Sequence, residues 1–193
     1  MDLTHGNEHY KMDRAKKMML WFGIISIIMM FAGLTSAYVV SKSRPDWLSG
    51  FPLPPSFYWS TITIVSSSIL LYLAKKMILK NKQKEATFLL LGTFVLGIVF
   101  VVLQLESFKE IISTGYYFTG SESNITTSFI YVIVIAHLAH LAGGIIVLLV
   151  LIYNQFKQRY KQGQMLGLEL GATYWHFVDA LWVYLFLFLY FFR

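Results

Sequence analysis

Cysteine is absent from the 193 residues. That removes disulfides, zinc–thiolate sites, iron–sulfur clusters and cysteine-bound copper from anything this chain builds alone. Charge is scarce as well. Asp, Glu, Lys and Arg make up 13% of the chain, where a soluble domain carries about 25%. Proline occurs four times, as Pro45, Pro52, Pro54 and Pro55, all in one stretch. No apolar run is therefore broken by a residue that removes a backbone donor. Among motifs, we find no nucleophile–base pair, no phosphate-binding glycine loop and no internal repeat. The net charge of +6 does not point to nucleic acid, because the basic residues fall between apolar runs instead of along one face.

What remains is apolar sequence: 56% of residues are hydrophobic. It is gathered into five runs of spanning length, since about 20 residues cross about 30 Å of hydrocarbon. They cover about 18–40, 57–74, 86–105, 127–153 and 171–192. The expected fold is all-α, an integral membrane bundle of five transmembrane helices. Residues 1–17 form a polar N-terminal segment and residues 18–193 a single transmembrane domain. The first run is too long for a leader's apolar core, so no cleaved leader is expected. The second run is the weakest, being short and rich in Ser and Thr. Its hydroxyls can bond back to the i−4 carbonyl, which keeps such a helix tolerable in lipid.

With the N-terminus on the cytoplasmic side, twelve of the sixteen Lys and Arg residues fall inside. Only Lys42, Arg44, Lys109 and Arg193 fall outside, and an odd number of spans puts the C-terminus there too. The proline-bearing stretch "SKSRPDWLSGFPLPPS" reads as an ordered outer loop, and "ESFKEIISTGYYFTGSESN" as an interfacial one. The expected location is a bacterial inner membrane.

Ionisable side chains inside such runs are costly, so each one calls for a partner. Asp179 lies near the middle of the fifth run in "YWHFVDALW". His176 precedes it by three residues and shares its face, and Glu169 extends the stripe to the cytoplasmic boundary. In the fourth run His137 and His140 are again three apart. Three chemistries compete. Haem could be held between the fourth and fifth runs, although two histidines three apart on one helix cannot both ligate one iron. A proton chain could start at Glu169, His176 and Asp179, but "LFLFLYFF" offers nothing to continue it. Interhelical hydrogen bonding is favoured: Asp179 would accept from a histidine, with Tyr174, Trp175 and Trp182 donating and packing. On that reading Asp179→Ala loosens the fourth and fifth spans. Gly92, Gly97, Ala136, Ala139, Gly143 and Gly144 would allow close approach. A small transporter is a further class, with Gly143-Gly144 as its unwinding point and no proline to break a helix.

"GATYWHFVDALWVYLFLFLYF", led by Glu169, resembles the last helix of the cytochrome c oxidase subunit III family. In order along the chain, "FGIISIIMMFAGLTSAY", "WSTITIVSSS", "LGIVFVVLQLESF" and "HLAHLAGG" resemble four further helices of that family, matching Gly97, Gln104, His137 and His140. There are departures. Ile27 stands where the family has a membrane glutamate after Ser26, and Glu106 comes one position early. The family's long form has seven helices, and these correspond to its last five; the other two form one wall of a lipid-holding cleft. The resemblance implies a subunit with no redox centre of its own and no metal ligands. Haem and copper would lie in partners, the catalytic subunit I and the copper-bearing subunit II, with phospholipids and a respiratory supercomplex as further associations. It implies structural roles for Gln104, Glu106, His137, His140, Glu169, Trp175, His176 and Asp179, and proton collection by His5, Glu8, His9 and Glu169. Cytochrome c is the expected donor; a five-helix form also occurs in quinol oxidases.

Overall fold

The computed structural model describes residues 8–44, 47–48, 54–113, 115, 124–160 and 165–192. Five α-helices account for nearly all of them: α1 Glu8–Ser41, α2 Ser56–Leu79, α3 Gln83–Ser113, α4 Ile125–Phe156 and α5 Leu166–Phe192. All five are long and apolar enough to cross a membrane. Each contains its expected span, and the first and third run well beyond it. The 34 residues of α1 reach about 50 Å at 1.5 Å per residue, so its polar first turns, from Glu8, project past the hydrocarbon. The helix does not start at the polar–apolar junction because Glu8–Lys17 holds good helix formers and no proline or glycine. α3 likewise continues through half of the stretch expected to be an interfacial loop. It stops only before Gly115, whose φ of +88° suits glycine.

α4 packs on α1, α3 and α5, α5 packs on α1, α2 and α4, and α2 packs on α3; α5 is the most buried of the five. Half of its spanning window is buried, against 17% for α1. The remaining faces carry exposed apolar residues such as Trp21, Phe22, Val95 and Ile146, as a lipid-facing surface should. At the end of the bundle where α1 finishes, Tyr38 is fully buried against the rings of Trp47, Phe129 and Phe188. The Leu48 amide donates to Thr126 Oγ1 at 3.0 Å, which ties the described part of the proline-bearing loop to α4.

At the opposite end, two turns have the same construction. Lys82 N–H donates to the Met77 carbonyl across Asn81, and Arg159 N–H to the Asn154 carbonyl across Gln158. The intervening residues take φ of 58° and 53°. This is the left-handed helix end that glycine fits best, and asparagine tolerates it better than glutamine. Gln158→Gly is expected to stabilise the chain by about 0.5–1 kcal/mol, read as a later unfolding midpoint in detergent. The same change at Asn81 should gain less. Between these turns Gln155 Nε2 donates to Gln83 Oε1 at 2.7 Å, joining α4 to the start of α3. Tyr160 folds back beside them, and burial raises its phenol above the ordinary value, so it stays a hydroxyl there.

Candidate functional site

The buried polar groups converge on α2, the helix with the weakest sequence signal. Some of its hydroxyls do bond back: Thr61 to the Phe57 carbonyl at 2.8 Å, Thr63 to Trp59 at 2.9 Å and Ser66 to Ile62 at 2.8 Å. Four of them also serve neighbouring helices. Ser60 Oγ accepts from Gln104 Nε2 of α3 at 2.8 Å. Ser67 Oγ accepts from the Trp175 indole at 2.9 Å, and Thr61 Oγ1 from the Trp182 indole at 3.1 Å. Ser68 Oγ lies 2.5 Å from His176 Nδ1. Ser60 and Ser67, and Thr61 and Ser68, are seven residues apart, so they form two adjacent stripes on one helix. That spacing is the signal in the sequence that points to this interface.

Trp175 is the central side chain. Its ring is fully buried and lies between two glycines of different helices. A Cβ on Gly97 of α3 would come 2.9 Å from Cη2 of the indole, and one on Gly144 of α4 would come 3.1 Å from Cε3 and Cζ3. With its N–H on Ser67, one indole therefore joins α2, α3 and α4 to α5. Gly171 lets α4 side chains reach the α5 backbone, since a Cβ there would meet Leu151 Cδ1 at 2.8 Å. Tyr174 lies over Gly143 and donates to the His140 carbonyl at 3.0 Å. One turn beyond Asp179, the Trp182 ring stacks on Phe57 and meets Phe100 edge-on.

The three membrane histidines turn three ways. His137 is fully buried, its ring 5.1 Å from that of Trp182 and 6.0 Å from that of Phe100. His140 is half-buried, with Nδ1 donating to the Ala136 carbonyl at 2.7 Å and its ring against Phe31 of α1. His176 faces α2. They do not converge on a common point where a haem iron could be held. Among the described residues, no three His, Asp or Glu side chains gather in a way that could hold a metal ion.

Asp179, 3% exposed, corrects an expectation. Neither carboxyl oxygen bonds a histidine; the Ser68 hydroxyl stands beside the carboxyl and takes the His176 nitrogen itself. Trp175, His176 and Trp182 bond to α2 while Tyr174 bonds to α4; Asp179, beside Ser68, lies on the α2 side, so Asp179→Ala should loosen α5 from α2 more than from α4. Gln104 is buried as expected, whereas Glu106 is exposed. One position along a helix turns a side chain by about 100°, which carries Glu106 off the buried stripe of Gln104 and Ser107. Glu169 is half-exposed, not buried, and pairs with Lys17 of α1 at 3.3 Å. His5 lies outside the described residues, as do the side chains of Glu8 and His9. Ile27 is half-buried, one turn before Phe31, and packs on the core.

Replacing Gln104 by leucine is expected to change stability by less than about 1 kcal/mol. Ser60 keeps its own bond to the Phe57 carbonyl at 2.9 Å, and the change removes a buried amide oxygen that has no partner. An unfolding series in mixed micelles reads the difference.

Comparison with known proteins fits this arrangement. The family profile described as "Cytochrome c oxidase subunit III" matches residues 3–193. The chain is 29% identical over 180 residues to cytochrome c oxidase subunit 3 of Loxodonta africana, covering 86% of this chain but 66% of that protein. It is 31% identical over 183 residues to cytochrome bo(3) ubiquinol oxidase subunit 3 of Buchnera aphidicola subsp. Baizongia pistaciae, covering 89% of each. Identity to cytochrome c oxidase subunit 3 of Spodoptera frugiperda is 30% over 132 residues, 68% of this chain and 85% of that one. The chain thus spans just under two thirds of the length of its mammalian relatives. With a profile match over almost every residue and five helices fit to cross a membrane, this chain belongs to the cytochrome c oxidase subunit III family.

Proposed function

We propose that the chain is the non-redox subunit III of a proton-pumping haem–copper terminal oxidase, seated in a bacterial plasma membrane with its N-terminus in the cytoplasm. It packs beside a catalytic subunit that carries haem and copper and a second subunit that carries copper. Electrons pass from cytochrome c to oxygen through those partners. The observation that supports this reading is the interior itself: hydroxyls of α2 take the indoles of Trp175 and Trp182, the Gln104 amide and the His176 ring in helix–helix contacts. The chain supplies a scaffold and a proton-collecting edge.

That edge is the mouth formed by Asp13, Arg14, Lys17 and Glu169 where α1 meets α5. Carboxylates near water can accept and donate protons to a neighbour, and the cations beside them hold them in place. Glu169→Gln is expected to leave assembly intact, because a half-exposed ion pair is worth little, and to shorten the number of turnovers before activity decays. Equal turnover in variant and wild type would rule the edge out. Directly below it an apolar groove of about 470 Å³ runs between α1, α4 and α5, lined by Leu20, Val147, Leu151, Leu170 and Tyr174. A phospholipid acyl chain fits there, with its headgroup among the charges above.

Coverage favours a second reading on one point. The bo(3) relative matches over 89% of both chains, so a ubiquinol donor has equal support from length and identity, while "YWHFVD" resembles the cytochrome c branch. Purification from the native membrane in mild detergent tests both. A large haem-bearing subunit should come with this chain, and the complex should consume oxygen with reduced cytochrome c. Oxygen uptake with quinol alone would move the assignment to the quinol branch, and purification without any haem protein would overturn it.

A further inference from the structure

Packing accounts for Trp175 and Trp182 but leaves the cluster at Ser68 unexplained. Ser68 Oγ lies 2.5 Å from His176 Nδ1. Asp179, three residues on from His176 on the same face, is almost fully buried near that hydroxyl, and neither of its carboxyl oxygens is hydrogen-bonded. A serine hydroxyl has one hydrogen to give and two lone pairs. It cannot donate at once to an ionised carboxylate and to a bare imidazole nitrogen.

Two arrangements satisfy every group. In the first, Asp179 carries a proton and donates it to Ser68 Oγ, Ser68 donates to Nδ1, and the imidazole hydrogen is on Nε2. In the second, Nδ1–H donates to Ser68 Oγ and Ser68 donates to the Asp179 carboxylate, with Nε2 either bare or protonated. When Nε2 is protonated, the second arrangement holds as many protons as the first. It is reached by passing the Asp179 proton to Ser68 and the Ser68 proton to Nδ1. When Nε2 is bare, it holds one fewer. With Ser68 turned between the two, the cluster can therefore gain or lose one proton at Nε2 and pair every group both before and after.

The surroundings give that proton a way in. His176 is half-buried, and its Nε2 has no partner among the described residues. Lys75 lies two turns along α2 from Ser68, on the imidazole side, and marks the polar end of the bundle. Two further histidines stand at this depth on α4: His137 turns to Phe100 and Trp182, and His140 to the Ala136 carbonyl and Phe31. We propose that Ser68, His176 and Asp179 form an exchangeable proton-binding site, in which a bridging hydroxyl lets a proton taken up at His176 Nε2 be held at Asp179. The site lies within one chain and is independent of which donor feeds the oxidase.

The test uses the full chain alone in lipid nanodiscs, labelled with ¹⁵N-histidine and titrated with acid and base. Infrared difference spectra follow the carbonyl stretch of a protonated carboxylic acid, and nitrogen shifts follow His176. The expected result is one transition shared by both signals, with uptake of one proton. Asp179→Asn should abolish the infrared band and move the His176 midpoint by about one pH unit or more. Ser68→Ala should split the shared transition in two, while Ser68→Thr, which keeps the hydroxyl, should leave it whole. Near-ultraviolet circular dichroism of the buried tryptophans confirms the fold of each variant. The proposal fails if Asp179→Asn leaves the His176 midpoint unmoved. It also fails if Ser68→Thr splits the transition as Ser68→Ala does, or if no carboxylic band belongs to Asp179.

Discussion

Trp175→Ala is expected to destabilise the bundle by about 3–5 kcal/mol, the range for emptying a large aromatic site in a packed core. The indole fills a slot bounded by Gly97 and Gly144 and donates to Ser67. Its removal leaves a void touched by four helices, and no single helix can move in to close it without leaving another contact. Trp175→Phe should cost less, because part of the ring volume stays. Ser67→Ala, which keeps the volume but strips the indole N–H of its acceptor, should cost about 1–3 kcal/mol. Reversible unfolding in mixed micelles, followed by tryptophan fluorescence, gives the order Ala, then Phe, then wild type. A Trp175→Ala chain within 1 kcal/mol of wild type would show that the slot collapses freely.

The second large effect comes from the opposite side of the same contact. Gly97→Val and Gly144→Val each add branched carbon where a bare Cβ would already lie 2.9 or 3.1 Å from the indole. The ring cannot retreat, being held between the two glycines and tethered at Nε1. Overpacking of this kind costs about 1–3 kcal/mol. The specific prediction is a coupling. Combined with Trp175→Phe, which frees space at the distal ring, Gly97→Val should cost less than the sum of the two changes by about 0.5–3 kcal/mol. Strict additivity would mean that the glycine is required for some reason other than this ring.

The sequence made the number and order of helices legible because spanning length is a property of single segments. It also marked Gly97, Gly143, Gly144 and the "YWHFVDALW" stretch as places of close approach. It could not say which ring occupies which gap, since the partners are 31 and 78 residues apart for Trp175 with Gly144 and Gly97 and meet only when all four helices are assembled. Helical spacing puts His176 and Asp179 on one face and suggests a histidine as the partner of Asp179. The structure substitutes Ser68, a residue of another helix that no local pattern on α5 can indicate. Residues 8–17 read as a polar segment by composition, and they are helical because helix propensity does not stop where hydrophobicity does. Glu106 shows the converse. A one-residue shift, small in an alignment, moves a carboxylate from a packed stripe to an exposed face.

His137 and His140 pack their rings on neighbouring helices and His176 bonds Ser68 of α2, so no shared iron is expected among them. The direct measurement is haem absorption together with iron and copper content, made on this chain alone after separation from a complex purified from its native membrane. No Soret band and no metal in stoichiometric amount are expected. One haem or one copper per chain, lost on changing His137 or His176, would contradict that expectation.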